Sequence, residues 1–134
     1  MILSVDHVAV AVRRIEERVG FWETLGLARG REVQLPGEGA RILFLPAGNS
    51  RVELLEPMGP GGPVKKFLER RGEGIHHLCL RVDSVERTVL ALEKAGFPAV
   101  GPIRKGADRT AVAFLDPHHT GGVLVELAEG KEHG

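Results

Sequence analysis

Two histidines and two glutamates occupy matching places in the two halves of the sequence. His7 and His77 are 77 − 7 = 70 residues apart, and each lies in a segment whose apolar residues alternate with a period of two. Glu53 and Glu126 follow them at similar separations, 53 − 7 = 46 and 126 − 77 = 49. Imidazole nitrogen and carboxylate oxygen together suit Zn²⁺, Co²⁺, Ni²⁺, Mn²⁺ or Fe²⁺. Because the set recurs as a whole, we predict that these four residues form a divalent-metal site with positions open to a substrate.

The same offset of 70 relates longer stretches, which indicates a duplicated module. The aligned pairs include Ile15 with Val85, Val19 with Val89 and Gly26 with Gly96. Each half has the pattern of a strand, a helix and two or three antiparallel strands. The predicted fold class is therefore α+β, with two tandem βαβββ modules forming a curved mixed sheet around a metal-binding cleft. We expect one domain over residues 1–134, with module one at about 1–58, a linker and short helix at 59–72, and module two at about 73–130.

The first strand, Val5–Val12, is predicted to have two unlike faces. The valines at even positions should pack against a helix. Ala9 and Ala11 share a face with His7, and side chains this small should line a cleft rather than fill a core. By the same alternation, the other three proposed ligands point away from the helix-packed faces of their strands.

Helical spacing and turn residues predict the remaining elements. Helices are expected at about 14–25, at about 63–71 after a Pro-Gly linker, and from Asp83 to Gly96. Asp83 is predicted to be an acidic N-cap with Glu86 three residues further on. Residues 28–40 and 101–109 are predicted to be loops.

Composition excludes several classes of function. Lys plus Arg and Asp plus Glu each number 18, and aromatics make up 4% of the chain, so neither nucleic acid nor an anionic membrane is an expected partner. No apolar segment is long enough to span a bilayer. No signal-peptide pattern opens the chain and Cys79 is a lone cysteine, from which we expect a cytoplasmic protein.

Three further histidines and the cysteine are given structural roles. His76 is expected on the opposite strand face from His77. His118 and His119 are expected in a solvent-exposed turn. Cys79 is expected to be a small wall residue beside the metal site.

Longer motifs carry a resemblance that covers nearly the whole chain. They lie at residues 7–12, 52–60, 72–78 and 120–127. With them the sequence resembles the vicinal-oxygen-chelate superfamily of glyoxalase I and extradiol dioxygenase-like proteins. Within that superfamily, the segments at 52–60 and 120–127 make it similar to the methylmalonyl-CoA epimerases.

The resemblance implies epimerisation at C2 of methylmalonyl-CoA through a metal-stabilised enolate. It implies that His7, His77 and Glu126 are metal ligands, that Glu53 stands at the fourth ligand position, and that Glu126 is also a base. Some members carry a further carboxylate where Ile42 stands, so Glu53 is taken as the second base. An acyl-CoA substrate and a homodimer are also implied.

Two alternatives stay open. Glyoxalase I shares the His, Glu, His, Glu ligand set and isomerises a thiol hemithioacetal by a similar proton transfer. A small-molecule binding protein of the same fold would need no metal, although retention of all four ligand positions favours an enzyme.

Overall fold

The computed structural model describes residues 1–106 and 110–130. Within them it places eight strands and three α-helices in an order that repeats strand, helix and three strands around a middle helix. The elements are β1 (Ile2–Ala11), α1 (Ile15–Thr24), β2 (Glu32–Leu35), β3 (Ala40–Ala47), β4 (Ser50–Pro57), α2 (Pro63–Arg71), β5 (Gly74–Val82), α3 (Val85–Lys94), β6 (Ala99–Lys105), β7 (Ala111–Leu115) and β8 (Val125–Glu129). No helix in these ranges is long and apolar enough to cross a membrane.

The hydrogen-bonded order of the strands is β2-β3-β4-β1-β5-β8-β7-β6. Strands β2, β3 and β4 pair antiparallel, as do β6, β7 and β8, whereas β5 and β8 pair parallel. The predicted α+β class with a mixed sheet is confirmed.

The chain forms two compact units, and strands β1 and β5 contribute residues to both. One unit is Val8–His76. The other joins Met1–His7 to the chain from His77 onward. The module bounds expected from the repeat stay a prediction.

In the unit Val8–His76, helix α1 covers one face of β3 and β4. Ile15 and Val19, one helical turn apart, are buried together with Leu45 and Leu54, which are fully enclosed. Burying side chains of this size stabilises the fold by about 1.5–3 kcal/mol each. The even-numbered side of β1 joins this cluster through Val10 and Val12, as alternation predicted.

The opposite side of β1 is not a cleft wall, and that prediction was wrong. Ala9 and Ala11 are fully buried in a second cluster, where α2 contributes Val64 and Leu68. Small side chains on a strand let a helix pack close to the sheet, so their size reflects packing rather than an opening. Ile42 lies in the same cluster.

In the other unit, helix α3 packs on β5, β7 and β8. Val85 and Val89 are buried against Val125 and Leu127. The N-cap of α3 is Ser84, whose hydroxyl accepts a hydrogen bond from the backbone N–H of Arg87. The predicted acidic N-cap was therefore wrong by one residue, because a serine hydroxyl makes this bond as well as a carboxylate does.

Two strands lie where loops were predicted. β2 occupies 32–35 and pairs with the start of β3, and β6 occupies 99–105 and pairs with β7. Both are edge strands of the sheet. An edge strand tolerates proline and glycine, here Gly101 and Pro102, because one side of its backbone needs no partner. The rest of the predicted loop, residues 107–109, lies outside the described residues.

Candidate metal centre

Three of the four predicted ligands converge in the unit that joins Met1–His7 to the chain from His77 onward. Nε2 of His7 lies 3.1 Å from Nε2 of His77. Oε1 of Glu126 lies 3.3 Å from each of those nitrogens. The two rings meet edge to face, with centroids 5.2 Å apart, so both nitrogens and the carboxylate oxygen point at one place.

These separations fit a divalent cation. Two donors about 2.1 Å from one metal ion lie about 3.0 Å apart at a right angle and about 3.4 Å apart at the tetrahedral angle. The three observed separations, 3.1, 3.3 and 3.3 Å, fall between those limits. Two imidazoles and a carboxylate suit Zn²⁺ and its neighbours among the first-row metals. His7, His77 and Glu126 could therefore hold a cation as they stand.

Strand register sets this convergence. β5 and β8 run parallel with Cys79 opposite Glu126, and His77 is two residues before Cys79 on the same strand face. Phe114 of β7 pairs with Glu126 and turns its ring edge toward the ring of His77, at 6.3 Å between centroids. An apolar neighbour on this side reduces the access of water to the carboxylate and the imidazole.

The carboxyl of Glu126 is shifted strongly toward its charged form. Burial by itself raises the pKa of Glu126, but hydrogen bonds and positive charge from His7 and His77 together outweigh burial and hold the pKa at about 2. Glu126 is therefore ionised throughout the neutral pH range, as a metal ligand or a proton acceptor must be.

Behind His7 lies a buried ion pair that the sequence analysis did not single out. Nδ1 of His7 is 2.8 Å from Oδ2 of Asp6. The other carboxylate oxygen, Oδ1, accepts from Nε and Nη2 of Arg81 at 3.0 and 2.7 Å. All three residues are less than 10% exposed. A signal was present in the sequence, since Arg81 shares a face with His77 in an otherwise apolar strand.

The fourth predicted ligand, Glu53, lies in the unit Val8–His76. The residue is 4% exposed, and its Oε2 accepts a hydrogen bond from Nε of Arg51 at 2.8 Å. Glu53 pairs across the β3–β4 ladder with Phe44. The guanidinium groups of Arg31 and Arg51 lie 5.0 and 4.8 Å from the centre of the Phe44 ring. The Glu53 carboxylate is therefore bound by one guanidinium, and the phenyl ring paired with Glu53 across the ladder contacts two.

His76, His118 and His119 have the structural positions expected of them. His76 packs its ring on Phe67, at 5.0 Å between centroids. His118 and His119 lie in an exposed turn, where His119 meets the ring of Phe97. Cys79 is fully enclosed in a small apolar cluster with Val112 and Ala128, so it contributes to the core.

Comparison with known proteins identifies the family. Residues 6–114 match the model of the glyoxalase/bleomycin resistance protein/dioxygenase superfamily. Human mitochondrial methylmalonyl-CoA epimerase is 36% identical over 127 residues, which cover 92% of this chain and 72% of the relative. The chain belongs to the methylmalonyl-CoA epimerase family.

Two further members support that placement. The ethylmalonyl-CoA/methylmalonyl-CoA epimerase of Cereibacter sphaeroides is 35% identical over 133 residues, 96% of this chain and 99% of the relative. A variant of Streptomyces coelicolor methylmalonyl-CoA epimerase, solved in complex with 2-nitronate-propionyl-CoA, superposes with a TM-score of 0.87 at 25% identity, covering 97% of this chain and 99% of that one. The resemblance read from the sequence motifs is confirmed.

Proposed function

We propose that this member of the epimerase family interconverts the two epimers of methylmalonyl-CoA at C2, using a divalent cation held by His7, His77 and Glu126; Glu53 stays the fourth ligand predicted from the sequence repeat. The observation that carries the proposal is the convergence of three donor atoms, two imidazole nitrogens and one carboxylate oxygen, within 3.1 to 3.3 Å of one another. Relatives at about 35% identity over most of the chain are named for this activity.

The chemistry requires a site of this kind. The C2 proton of methylmalonyl-CoA lies between a thioester and a carboxylate, and its removal leaves an enolate whose negative charge rests on oxygen. A divalent cation held by these residues would supply a Lewis acid that stabilises this charge. Zn²⁺, Co²⁺, Ni²⁺, Mn²⁺ and Fe²⁺ all accept nitrogen and oxygen donors, so the donor set defines a class of metals.

Inversion at one carbon needs a base on each face of the planar enolate. Glu126 is one candidate, because its carboxylate faces the site, with Oε1 3.3 Å from Nε2 of each histidine. Glu53 is the second, since Ile42 is buried among apolar side chains and carries no acid. The hydrogen bond from Arg51 to Oε2 fixes the direction of the Glu53 carboxylate.

The first experiment is deuterium uptake at C2 of methylmalonyl-CoA in D₂O, with metal-loaded protein and with chelator-treated protein. We expect uptake and racemisation only with metal. Bound metal without uptake would shift the proposal to a glyoxalase I-type reaction, which the same preparation tests on a hemithioacetal. Neither metal nor uptake would favour a binding protein.

Separate epimers test the two-base scheme. Glu126→Gln and Glu53→Gln each keep an amide oxygen that can face a cation but cannot take up a proton. Each variant should stop racemisation while deuterium still enters one epimer, a different one in each case. Glu93→Gln, a change at an exposed carboxylate of α3, should behave as the wild type does. Equal exchange of both epimers in Glu53→Gln would remove Glu53 as a base.

The proposed substrate is an acyl-CoA thioester, with neither nucleic acid nor membrane as a partner. From the superfamily we expect a homodimer, and from the sequence a cytoplasmic protein. Light scattering on the purified chain measures the first, and fractionation of the source cells the second.

A further inference from the structure

We propose that Asp6 and Arg81 are positioning residues that fix the orientation and the Nδ1 proton of His7, and thereby set the affinity of the site for a divalent cation. The inference rests on the proposed function only in taking His7, His77 and Glu126 as the cation ligands. It adds two residues that touch no ligand atom of the cation and act through His7.

The two oxygens of the Asp6 carboxylate contact different residues. Oδ1 of Asp6 accepts hydrogen bonds from Nε and Nη2 of Arg81, at 3.0 and 2.7 Å, and Oδ2 lies 2.8 Å from Nδ1 of His7. A carboxylate only accepts hydrogen bonds, so Nδ1 of His7 must carry the proton of this bond. With the proton on Nδ1, the lone pair at Nε2 can be given to a metal.

The guanidinium of Arg81 is buried beside Asp6. Arg81 is 6% exposed, and leaving such a charge without a partner inside the protein would be costly. The side chain of Arg81 passes close to Gly130, where an added Cβ would lie 3.2 Å from Cδ of Arg81, so a larger residue at 130 would crowd it. A guanidinium held in this way orients the carboxylate of Asp6, which in turn orients the ring of His7.

Replacing Asp6 with asparagine would put an amide where the carboxylate now lies. An asparagine has one accepting oxygen and one donating NH₂ group. If Arg81 keeps the oxygen, the NH₂ group faces Nδ1–H of His7; if the amide turns round, the NH₂ group faces the guanidinium. Either way two buried donors meet, and the Nδ1 proton loses its acceptor unless it moves to Nε2.

The experiment measures Zn²⁺ affinity by competition with a chromophoric chelator, with no thioester present. Asp6→Asn should bind Zn²⁺ about 10- to 100-fold more weakly than the wild type, the usual effect of losing such an outer hydrogen bond. Asp83→Asn removes an exposed carboxylate of the same unit and should leave the affinity unchanged. Zn²⁺ affinity of Asp6→Asn within about twofold of the wild type would overturn the proposal.

A double variant separates positioning from damage to the fold. Asp6→Asn combined with Arg81→Met removes the competing donor, so the amide can turn its oxygen to Nδ1 of His7. We expect the pair to recover a substantial part of the Zn²⁺ affinity lost in Asp6→Asn alone. Additive losses in the double variant would show that the two residues act only through general stability and would overturn the proposal.

Two spectroscopic measurements give readouts that a structural role would not move. In the Zn²⁺-loaded wild type, the Nδ1–H of His7 should give a slowly exchanging ¹⁵N–¹H cross-peak, absent in Asp6→Asn and present again in the double variant. The visible absorption of Co²⁺-loaded protein should change and recover in parallel. If Zn²⁺ affinity follows this pattern but the protein does not epimerise methylmalonyl-CoA, the inference stands and the proposed function is refuted. If the protein is an active epimerase but Asp6→Asn binds Zn²⁺ as tightly as the wild type, the proposed function stands and the inference is refuted.

Discussion

The interaction of Glu126 with the two histidines of the candidate metal centre can be measured without metal or substrate, by following the stability of Glu126→Gln against pH. The Glu126 carboxyl has a pKa of about 2 in the folded chain, against 4.5 for the ordinary glutamate, because the hydrogen bonds and charge of His7 and His77 outweigh burial. The difference, 4.5 − 2, is about 2.5 pH units, which corresponds to about 3 kcal/mol of folding free energy at 1.36 kcal/mol per unit.

The lowered pKa of Glu126 determines how the stability of the folded chain changes with pH. A carboxyl whose pKa is lowered on folding stabilises the folded state at every pH above its unfolded value of 4.5, and loses that contribution as the pH falls toward about 2. Glu126→Gln has no such group. In chelator, the wild type should therefore be more stable than the variant by up to about 3 kcal/mol at pH 7, and the gap should close between pH 5 and pH 2.

The assay is denaturant unfolding followed by far-ultraviolet circular dichroism at pH 7, 5, 4 and 3. Glu93→Gln is the matched control, since Glu93 is an exposed carboxylate in the same unit, and its curve should follow the wild type. Parallel pH dependence of the wild type and Glu126→Gln would refute the interaction of Glu126 with the two imidazoles.

Three other changes test the centre and the core. His77→Ala should abolish metal retention and turnover together, measured by metal analysis of the purified protein and by the exchange assay, whereas His76→Ala should retain both. Gly39→Ala should lower the free energy of unfolding by about 1–3 kcal/mol in denaturant melts, because φ is 67° there and an added Cβ would lie 2.5 Å from the carbonyl oxygen of Gly61; an unchanged midpoint would contradict the close approach of the two backbones. Leu54→Ala, at a fully buried site, should cost about 2–5 kcal/mol in the same melts, whereas Leu25→Ala, at a residue 66% exposed, should stay within about 0.5 kcal/mol.

The fold was predictable because the repeat and the strand alternation agree at each step. Once His7 was aligned with His77, the order of strands and helices in each half followed from the repeat and from apolar spacing. Alternation turned Glu53 away from the helix-packed face of its strand, and its neighbours Val52 and Leu54 do lie under α1. Edge strands β2 and β6 were missed because strands of this kind carry turn residues and exposed side chains. Alternation of apolar and polar residues therefore predicts paired inner strands better than edge strands, which are paired on one side only.

The convergence of His7, His77 and Glu126 was predictable from the sequence, whereas the residues that support His7 were not; the role of the three as metal ligands stays a prediction. Matching residue types in the two halves predict which side chains meet. This pattern predicted that His7, His77 and Glu126 come together. Strict alternation puts Asp6 and His7 on opposite faces, so no pattern joined them, although both are buried. A pairing such as Asp6 with Arg81 depends on side-chain reach between strands 75 residues apart in sequence, which periodicity does not encode.

The division of the chain at His7 and His77 bears on how the protein is made. The unit that contains the metal centre begins with seven residues and is completed only from His77 onward, so His7 reaches a neighbour 70 residues away and a second one 126 − 7 = 119 residues away. Contacts of such sequence separation form slowly, because a long loop must close before they can contribute. During synthesis Met1–His7 cannot meet His77 or Glu126 until β5 and β8 have left the ribosome. The candidate metal centre can therefore form only after β8 has been made, and a nascent chain that lacks β8 should not retain a cation there.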